Sequence, residues 1–232
     1  MEWYWILCIC VASVVVWIAL SALLYKPIFK RFYDILFSLI ALVPILFVIL
    51  IFGPIIYFTD KGPIFHCGER TGKKGKKFKM VKFRSMKVNA PDIRNTDGST
   101  FNGANDPRVT KIGKFMRKTS IDELPQFFNV LVGHMSLIGP RAHMAKNFVS
   151  YEALDENRQK RLNVKPGITG YNQAYFRNSV SAEQKILNDV YYAEHVSFFF
   201  DIKIIFKTVF SVLKRENIYV SQEKKENVNE TK

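Results

Sequence analysis

The sequence predicts a mostly α-helical, membrane-embedded protein with a small β component. Only five charged residues precede residue 59, although the 232-residue chain carries a net charge of +14. Two long apolar runs fill that first quarter, and the basic remainder shows apolar residues at helical spacing more often than strand alternation. We therefore expect an N-terminal transmembrane helix, a helix–break–helix that enters and leaves one membrane face, a cytosolic globular domain and amphipathic helices at the membrane surface.

The first apolar run extends from Trp3 to Leu24 and is long enough to cross a bilayer. It lacks a basic leading region and a small-residue cleavage site, so an anchor over residues 1–25 is favoured over a removed signal peptide. Lys26, Lys30 and Arg31 follow directly. By the positive-inside rule, they place the N-terminus outside and residue 26 in the cytoplasm.

The second apolar run extends from Ile35 to Phe58 and is interrupted by Pro44. If it crossed the membrane, the basic segment after Lys61 would lie outside, against the charge rule. A re-entrant helix over residues 26–59, broken at Pro44, satisfies both the charges and the hydrogen bond that proline removes. The alternative is an ordinary kinked helix that spans the membrane.

Residues 60–219 are predicted to form the globular domain. Gly68 to Lys79 indicates a basic hairpin or loop, and Phe78 to Met86 alternates as a strand does. Lys82 and Arg84 lie two residues apart and would point the same way, so that together they could hold a phosphate.

A late amphipathic segment, Phe198 to Leu213, has its apolar residues on one side. This pattern indicates a helix lying in the membrane surface, with a buried core helix as the competing interpretation. Residues 220–232 are polar and charged, and we expect them to be disordered.

Two adjacent acids, Asp122 and Glu123, follow a basic segment and precede an apolar helical pattern. The pattern predicts one buried helix face, formed by Leu124, Phe127, Phe128 and Leu131. The acids would then lie in the first helical turn, where the helix dipole keeps a carboxylate ionised and able to act as a nucleophile or bind a hard cation. Ser120 and Glu123 also fit a capping box, which would give the same residues a purely structural role.

Several motifs occur in an order and spacing that resemble the bacterial sugar transferases, the monotopic polyprenyl-phosphate phosphoglycosyl transferases. The resemblance covers about Lys26 to about Tyr219. It is carried by Lys30-Arg31-Phe32-Tyr33-Asp34, Pro44, Lys82-Phe83-Arg84-Ser85-Met86, Asp122-Glu123-Leu124-Pro125-Gln126, Gly139-Pro140-Arg141 and Pro166-Gly167-Ile168-Thr169-Gly170.

The resemblance implies an enzyme of the bacterial plasma membrane that moves a sugar-1-phosphate from a UDP-sugar to undecaprenyl phosphate and releases UMP. Such enzymes initiate surface polysaccharide assembly, for example of capsule or exopolysaccharide. It also implies a Mg²⁺ ion, Asp122 as the covalent nucleophile and Glu123 as a residue that binds the metal or sets the charge of the site. The candidate phosphate-binding residues are Lys82, Arg84, Arg117, Arg141 and Arg177.

The chain departs from the family pattern at four positions: Val43, His134, Ala142 and Phe176. Val43 stands where a serine commonly precedes the proline of the helix break. Phe176 stands where a glycine usually precedes Arg177, which affects the expected sugar pocket.

A membrane-tethered protein that binds anionic lipid or nucleic acid without chemistry is the alternative from another functional class. We expect no nucleic-acid partner, because the aromatic residues follow apolar helix faces rather than alternating with the basic residues. The sequence leaves the sugar, the glycan pathway, the role of the added N-terminal helix and the oligomeric state open, and it is compatible with a homo-oligomer.

Overall fold

A computed structural model describes residues 2–93, 101, 103, 106–145, 148, 150–176 and 179–214. These residues form a mostly helical protein with two small two-stranded sheets, as the sequence predicts. The helices are α1 (Glu2–Leu23), α2 (Lys30–Asp60), α3 (Lys111–Thr119), α4 (Gln126–Leu131), α5 (Glu156–Arg161), α6 (Tyr171–Tyr175), α7 (Ala182–Glu194) and α8 (Phe198–Lys214). The strands are β1 (Phe65–Thr71), β2 (Lys77–Phe83), β3 (Ser136–Ile138) and β4 (Gly167–Thr169).

The first two helices, α1 and α2, are each long and apolar enough to cross a membrane. Most of their large apolar side chains are exposed in the folded chain, so a bilayer is the natural environment for them. The two predicted apolar helices are therefore present and indicate membrane association.

The prediction that Pro44 divides the second helix into two separate helices is wrong. α2 continues without interruption from Lys30 to Asp60, with Pro44 and Pro54 inside it. A proline removes one backbone hydrogen bond and bends the axis, but the helix continues when the turns on either side keep their own bonds.

The N-terminal end of α2 is fixed to the globular part by charged side chains. Arg31 donates to the carbonyl oxygens of Val130 and Leu131 at 2.6 and 2.9 Å, which satisfies carbonyls at the end of α4. Asp34 accepts from the Ser136 hydroxyl at 3.0 Å and from the Leu137 backbone N–H at 2.9 Å.

The C-terminal end of α2 is fixed to the same globular part. Asp60 forms an ion pair with Arg84 at 2.6 Å, and Ile56 packs in a buried cluster with Phe83 and Met116. Both ends of α2 therefore contact one compact body.

The globular part is built around two sheets. β1 and β2 form an antiparallel hairpin, with Phe65 opposite Phe83 and Thr71 opposite Lys77. β3 and β4 pair in parallel. The predicted basic hairpin is confirmed, but the strand predicted to reach Met86 ends at Phe83.

The helix α4 lies between β2 and α2. The residues predicted to form the buried face, Leu124 just before α4 and Phe127, Phe128 and Leu131 within it, are only half-buried, whereas Gln126, Asn129 and Val130 are buried. The predicted core face is therefore wrong. The reason is that the Asn129 amide bonds the backbone of β2, accepting from Val81 N at 2.9 Å and donating to Lys79 O at 2.8 Å, which an apolar side chain cannot do.

The helix α8 buries Asp201, Ile204 and Ser211 and exposes a row of large apolar side chains on the other side. Its inner side includes Asp201, whose carboxylate accepts from Tyr25, Lys30 and Tyr192 at 2.6 to 2.8 Å. The large side chains left exposed are Phe199, Ile205, Phe206, Val209 and Phe210. This exposure of the apolar side is what a helix in the membrane surface requires, and a core helix would have it buried.

Two sequence-based expectations lie outside the described residues. These are Arg177, a candidate phosphate-binding residue, and the disorder expected for residues 220–232.

Candidate active site

The acidic pair lies in a 3₁₀ turn, Ile121–Glu123, that joins α3 to α4. Ser120, between α3 and this turn, has a φ of 58°, which is uncommon for a residue other than glycine and is maintained by the surrounding structure. Its side chain makes no capping hydrogen bond, and the Glu123 side chain binds other residues. The capping-box interpretation is therefore wrong.

Glu123 connects two cations from different parts of the fold. Its Oε1 accepts from Lys82 Nζ on β2 at 2.7 Å and from Arg141 Nη2, in the turn after β3, at 2.8 Å. Burial opposes ionisation of Glu123, but attraction from Arg141 and Lys82 outweighs it and holds the pKa of the carboxyl well below its usual range. Glu123 is therefore a fixed negative charge that orients both cations.

Asp122 has a different environment, although it is the next residue. Within the described parts of the chain, its carboxylate accepts no hydrogen bond and forms no ion pair. Burial, followed by the negative charge of Glu123, raises the pKa of Asp122 to about 6, against the attraction of Lys82, Arg117 and Arg141. The expected stabilisation of the ionised form by a helix terminus is therefore wrong, because α4 begins only at Gln126.

The other predicted cations divide into two groups. Arg117 donates to the Ser85 hydroxyl at 2.9 Å and is close enough to influence Asp122 electrostatically. Arg84 is not brought to the acidic pair: it donates to Asp60 and to the Pro63 and Ile56 carbonyls. Since β2 ends at Phe83, the strand alternation that was expected to align Arg84 with Lys82 does not reach it.

A cleft opens beside Lys82 and Arg141 and brings in residues not predicted for the site. Its lining consists of Arg70, Met80, Lys82, Gln126, Arg141, Ala142 and Gly167. Arg70 lies within the basic hairpin and Gln126 follows the acidic pair. In the sequence, Arg70 is one of many cations in its segment, and Gln126 has no charge to mark it as a ligand.

The turn that carries Arg141 is held by close backbone packing. Gly139 N donates to Thr169 O and Gly167 N donates to Pro140 O, both at 2.9 Å. A Cβ on Gly167 would overlap the Gly139 backbone, so only glycine allows this approach. The Pro166–Gly170 segment, one of the motifs that carry the family resemblance, therefore uses the Gly167 N–H to hold the Arg141 turn.

The carboxylates also determine whether Mg²⁺ would fit. No group of three or more His, Cys, Asp or Glu side chains suited to a metal occurs among the residues described. Mg²⁺ commonly takes one or two carboxylates and completes its shell with water and substrate phosphates. The unengaged carboxylate of Asp122 and the second oxygen of Glu123 fit that requirement.

A family model and several curated proteins match this chain, and by name they are sugar transferases or polysaccharide production proteins. Residues 25–215 match the family model described as bacterial sugar transferase. A Klebsiella pneumoniae protein named UDP-glucose:undecaprenyl-phosphate glucose-1-phosphate transferase is 41% identical over 197 residues, which cover 83% of this chain and 42% of that protein. Galactosyl transferase CpsE of Streptococcus agalactiae is 43% identical over 192 residues, covering 79% of this chain and 42% of that protein.

A shorter relative matches along almost its whole length. Exopolysaccharide production protein PSS of Rhizobium leguminosarum is 38% identical over 196 residues, covering 81% of this chain and 96% of that protein. By contrast, the chain spans less than half the length of the Klebsiella and Streptococcus proteins. The residues matched by the family model include the acidic pair, the cleft and the closely packed Gly-Pro-Arg turn. The chain therefore belongs to the bacterial sugar transferase family.

Proposed function

We propose that this chain transfers a sugar-1-phosphate from a UDP-sugar to undecaprenyl phosphate and releases UMP, through a covalent aspartyl intermediate on Asp122. The observation that carries the proposal is an Asp122 carboxylate with no partner in the described structure, close to Lys82, Arg117 and Arg141. The names of several relatives give these two substrate classes, or the related transfer of galactose phosphate.

The reaction would proceed by two displacements at the phosphorus that bears the sugar. First, an oxygen of Asp122 attacks that phosphorus, the bond to the bridging oxygen breaks, and UMP leaves with the electron pair. Then an oxygen of undecaprenyl phosphate attacks the same phosphorus, and the bond to Asp122 breaks, which restores the carboxylate.

The cations lower the cost of bringing an anion to a diphosphate. Lys82 and Arg141 are already oriented by Glu123, so they need little rearrangement as charge develops on the departing UMP. Asp122 and Glu123 would hold Mg²⁺, which when bound neutralises phosphate charge.

We further propose that α2 is re-entrant and that the globular part lies on the cytoplasmic face. Support comes from the two ends of α2, since Arg31 and Asp60 both bind the same globular part. The exposed apolar side of α8 gives a second surface for the same membrane face. Lys26 and Lys61, on either side of α2, agree with the positive-inside rule if both ends are cytoplasmic.

The non-catalytic alternative gains no support from the site. Glu123 occupies the side chains of Lys82 and Arg141, and a second carboxylate lies beside them. Such an arrangement reduces the positive field that a nucleic-acid backbone needs, and we leave nucleic acid outside the proposed partners.

The test is Asp122→Asn in the full chain in lipid nanodiscs, with a panel of UDP-sugars, undecaprenyl phosphate and Mg²⁺. We expect UMP release to fall at least about 1000-fold, because the amide cannot serve as the nucleophile. We also expect an unchanged or higher Tm, since a carboxylate whose ionisation is disfavoured by burial is removed.

Glu156→Gln is the matched control, because it makes the same chemical change at an exposed site on α5. Full UMP release by Asp122→Asn would exclude Asp122 as the nucleophile. The sugar that gives the fastest release identifies the donor.

A further inference from the structure

Two hydrogen-bond donors in the cleft have no partner in the described part of the chain. The Gln126 side chain is 2% exposed, and its Nε2 is buried without a hydrogen bond. The Nε of Arg70 is likewise buried and unpaired. The two residues come from different elements, the start of α4 and strand β1, and both line the same cleft.

Leaving such donors unpaired is unfavourable in the absence of a ligand. A buried donor without an acceptor loses its hydration and gains nothing in return. Native proteins seldom keep such groups unless a ligand, an ion or an ordered water completes them. Two of them converging on one small opening therefore indicate an acceptor that enters from outside the chain.

The charge in the cleft indicates that this acceptor is an anion. Arg70, Lys82 and Arg141 all line it, whereas the Glu123 carboxylate already binds Lys82 and Arg141. Burial, followed by repulsion from Arg141, lowers the pKa of Arg70, so its positive charge is incompletely balanced. A phosphoryl group provides both the negative charge and several acceptor oxygens.

We propose that Arg70 and Gln126 form a phosphoryl-binding subsite in this cleft, which receives a substrate phosphate next to the Asp122–Glu123 pair. The Arg70 guanidinium supplies charge and a directed N–H, and the Gln126 amide supplies a neutral N–H from the other element. This inference rests on the proposed function for the identity of the phosphate, which belongs either to the nucleotide or to the polyprenyl phosphate.

The test measures binding and needs no turnover. The full chain in detergent is unfolded thermally with and without UMP, and separately with and without farnesyl phosphate as a short polyprenyl phosphate. The variants are Gln126→Met and Arg70→Met, which keep the length of each side chain and remove its donors. Lys77→Met is the control, because it removes one positive charge from an exposed position of the same hairpin.

We expect both variants to lose the rise in Tm produced by one of the two phosphates, while Lys77→Met keeps it. Without ligand, we expect the Tm of Gln126→Met to be equal to or above that of the parent, because an unpaired buried amide has been removed. In the UMP-release assay, KM for the corresponding substrate should rise about 10- to 100-fold in each variant.

The two ligands distinguish the sources of the phosphate. If the variants lose only the rise in Tm produced by UMP, the subsite binds the nucleotide phosphate. If they lose only the rise produced by farnesyl phosphate, it binds the lipid phosphate. Unchanged shifts with both ligands in both variants would overturn the subsite, as would a parent chain that neither ligand stabilises. A lower Tm of the Gln126→Met chain together with retained shifts would also overturn it, since Gln126 would then serve the fold.

Failure of the proposed reaction gives a different result. If the parent chain is stabilised by UMP, and the variants lose that shift, but no UDP-sugar yields UMP, the subsite stands and the transferase reaction fails.

Discussion

Asp122 and Glu123 share a turn but differ in how easily each loses its proton. Lys82 and Arg141 hold Glu123 ionised, whereas burial and the neighbouring charge of Glu123 disfavour ionisation of Asp122. Glu123 thereby orients cations, and Asp122 is left for the attack in the proposed reaction. Environments that displace two neighbouring carboxyl groups in opposite directions are typical of catalytic pairs.

The raised pKa of Asp122 gives the proposed first displacement a defined dependence on pH. Below about pH 6 Asp122 is increasingly protonated, so we expect single-turnover UMP release without lipid acceptor to fall as the pH decreases through this value. Glu123→Gln removes the negative charge that raises the pKa of Asp122, and the acidic limb should move to lower pH. The position of the limb, rather than the absolute rate, is the quantity to measure.

The half-reaction is chosen because the diphosphate of a UDP-sugar gains no proton in this range. A limb that stays at the same pH in Glu123→Gln would contradict the assignment to Asp122. Glu156→Gln, on the exposed side of α5, should leave the profile unchanged.

At the residue scale, short sequence motifs were sufficient to predict four side chains that lie together in the candidate site. Asp122, Glu123, Lys82 and Arg141 were predicted and lie together. Arg84 was misassigned because its partner, Asp60, is supplied by a helix that the strand pattern does not include. Arg70 and Gln126 were missed, since what distinguishes them is an unpaired buried donor, and that depends on tertiary packing.

At the scale of elements, a buried ion pair supports the Arg141 turn. Arg161 at the end of α5 donates to Asp189 of α7 at 2.7 Å and to the Arg141 carbonyl at 2.5 Å. Both members of the pair are buried. The side chain of Arg141 faces the cleft while its backbone is held from behind, so α5 and α7 influence the site without lining it.

Removing one member of this pair should affect both stability and substrate binding. We expect Arg161→Met to lower the free energy of unfolding by about 3–5 kcal/mol, because Asp189 is left buried without its cation. We also expect a higher KM for the UDP-sugar, since the Arg141 turn loses a support. Urea unfolding in detergent and initial rates of UMP release measure the two effects.

Arg158→Met is the matched control, because the Arg158–Asp155 pair is more than half exposed on both sides and should contribute little to stability. The double variant Arg161→Met, Asp189→Asn should recover part of the lost stability. Equal losses for Arg161→Met and Arg158→Met would contradict the role assigned to the buried pair.

The elements also show where periodicity is informative. The one-sided apolar pattern predicted for α8 is present, and its apolar side is exposed. A core helix has the same 3.6-residue pattern with the opposite orientation, so periodicity identifies the helix and its apolar side but not which way that side faces. α4 shows the limit: its polar Asn129 is buried because it bonds the backbone of β2. Periodicity counts apolar residues and therefore overlooks a buried amide.

At the scale of the whole molecule, the main question is where the two ends of α2 lie. A straight helix of 31 residues is about 46 Å long and exceeds the roughly 30 Å hydrocarbon core of a bilayer. A spanning α2 would separate Arg31 from Asp60 across the membrane. Both residues are bound by one globular part, which is held together through Asn129 and β2, and this supports the proposed re-entrant arrangement.

Cysteine labelling tests this arrangement directly. In a chain with Cys8, Cys10 and Cys67 replaced by alanine, we expect Lys26→Cys and Lys61→Cys to react with an impermeant thiol reagent from the same side of oriented vesicles. Both positions are exposed. Trp3→Cys is the control and should react from the opposite side, as the charge rule predicts for the N-terminus.

Labelling of residue 61 from the side opposite to residue 26 would exclude re-entrance and restore the kinked spanning helix. Such a result would also require the contacts at one end of α2 to be broken in the membrane.

If α2 is re-entrant as proposed, the attachment of both its ends to one body also has a consequence for the lipid product of the proposed reaction. An enzyme that enters and leaves by one face meets only the lipids of the nearer leaflet. In the proposed reaction, the added sugar would therefore stay on the side from which the nucleotide came, and no step of that reaction would move a polar head group through the hydrocarbon. If the sugar is needed on the far side, a separate flippase has to carry the loaded lipid there.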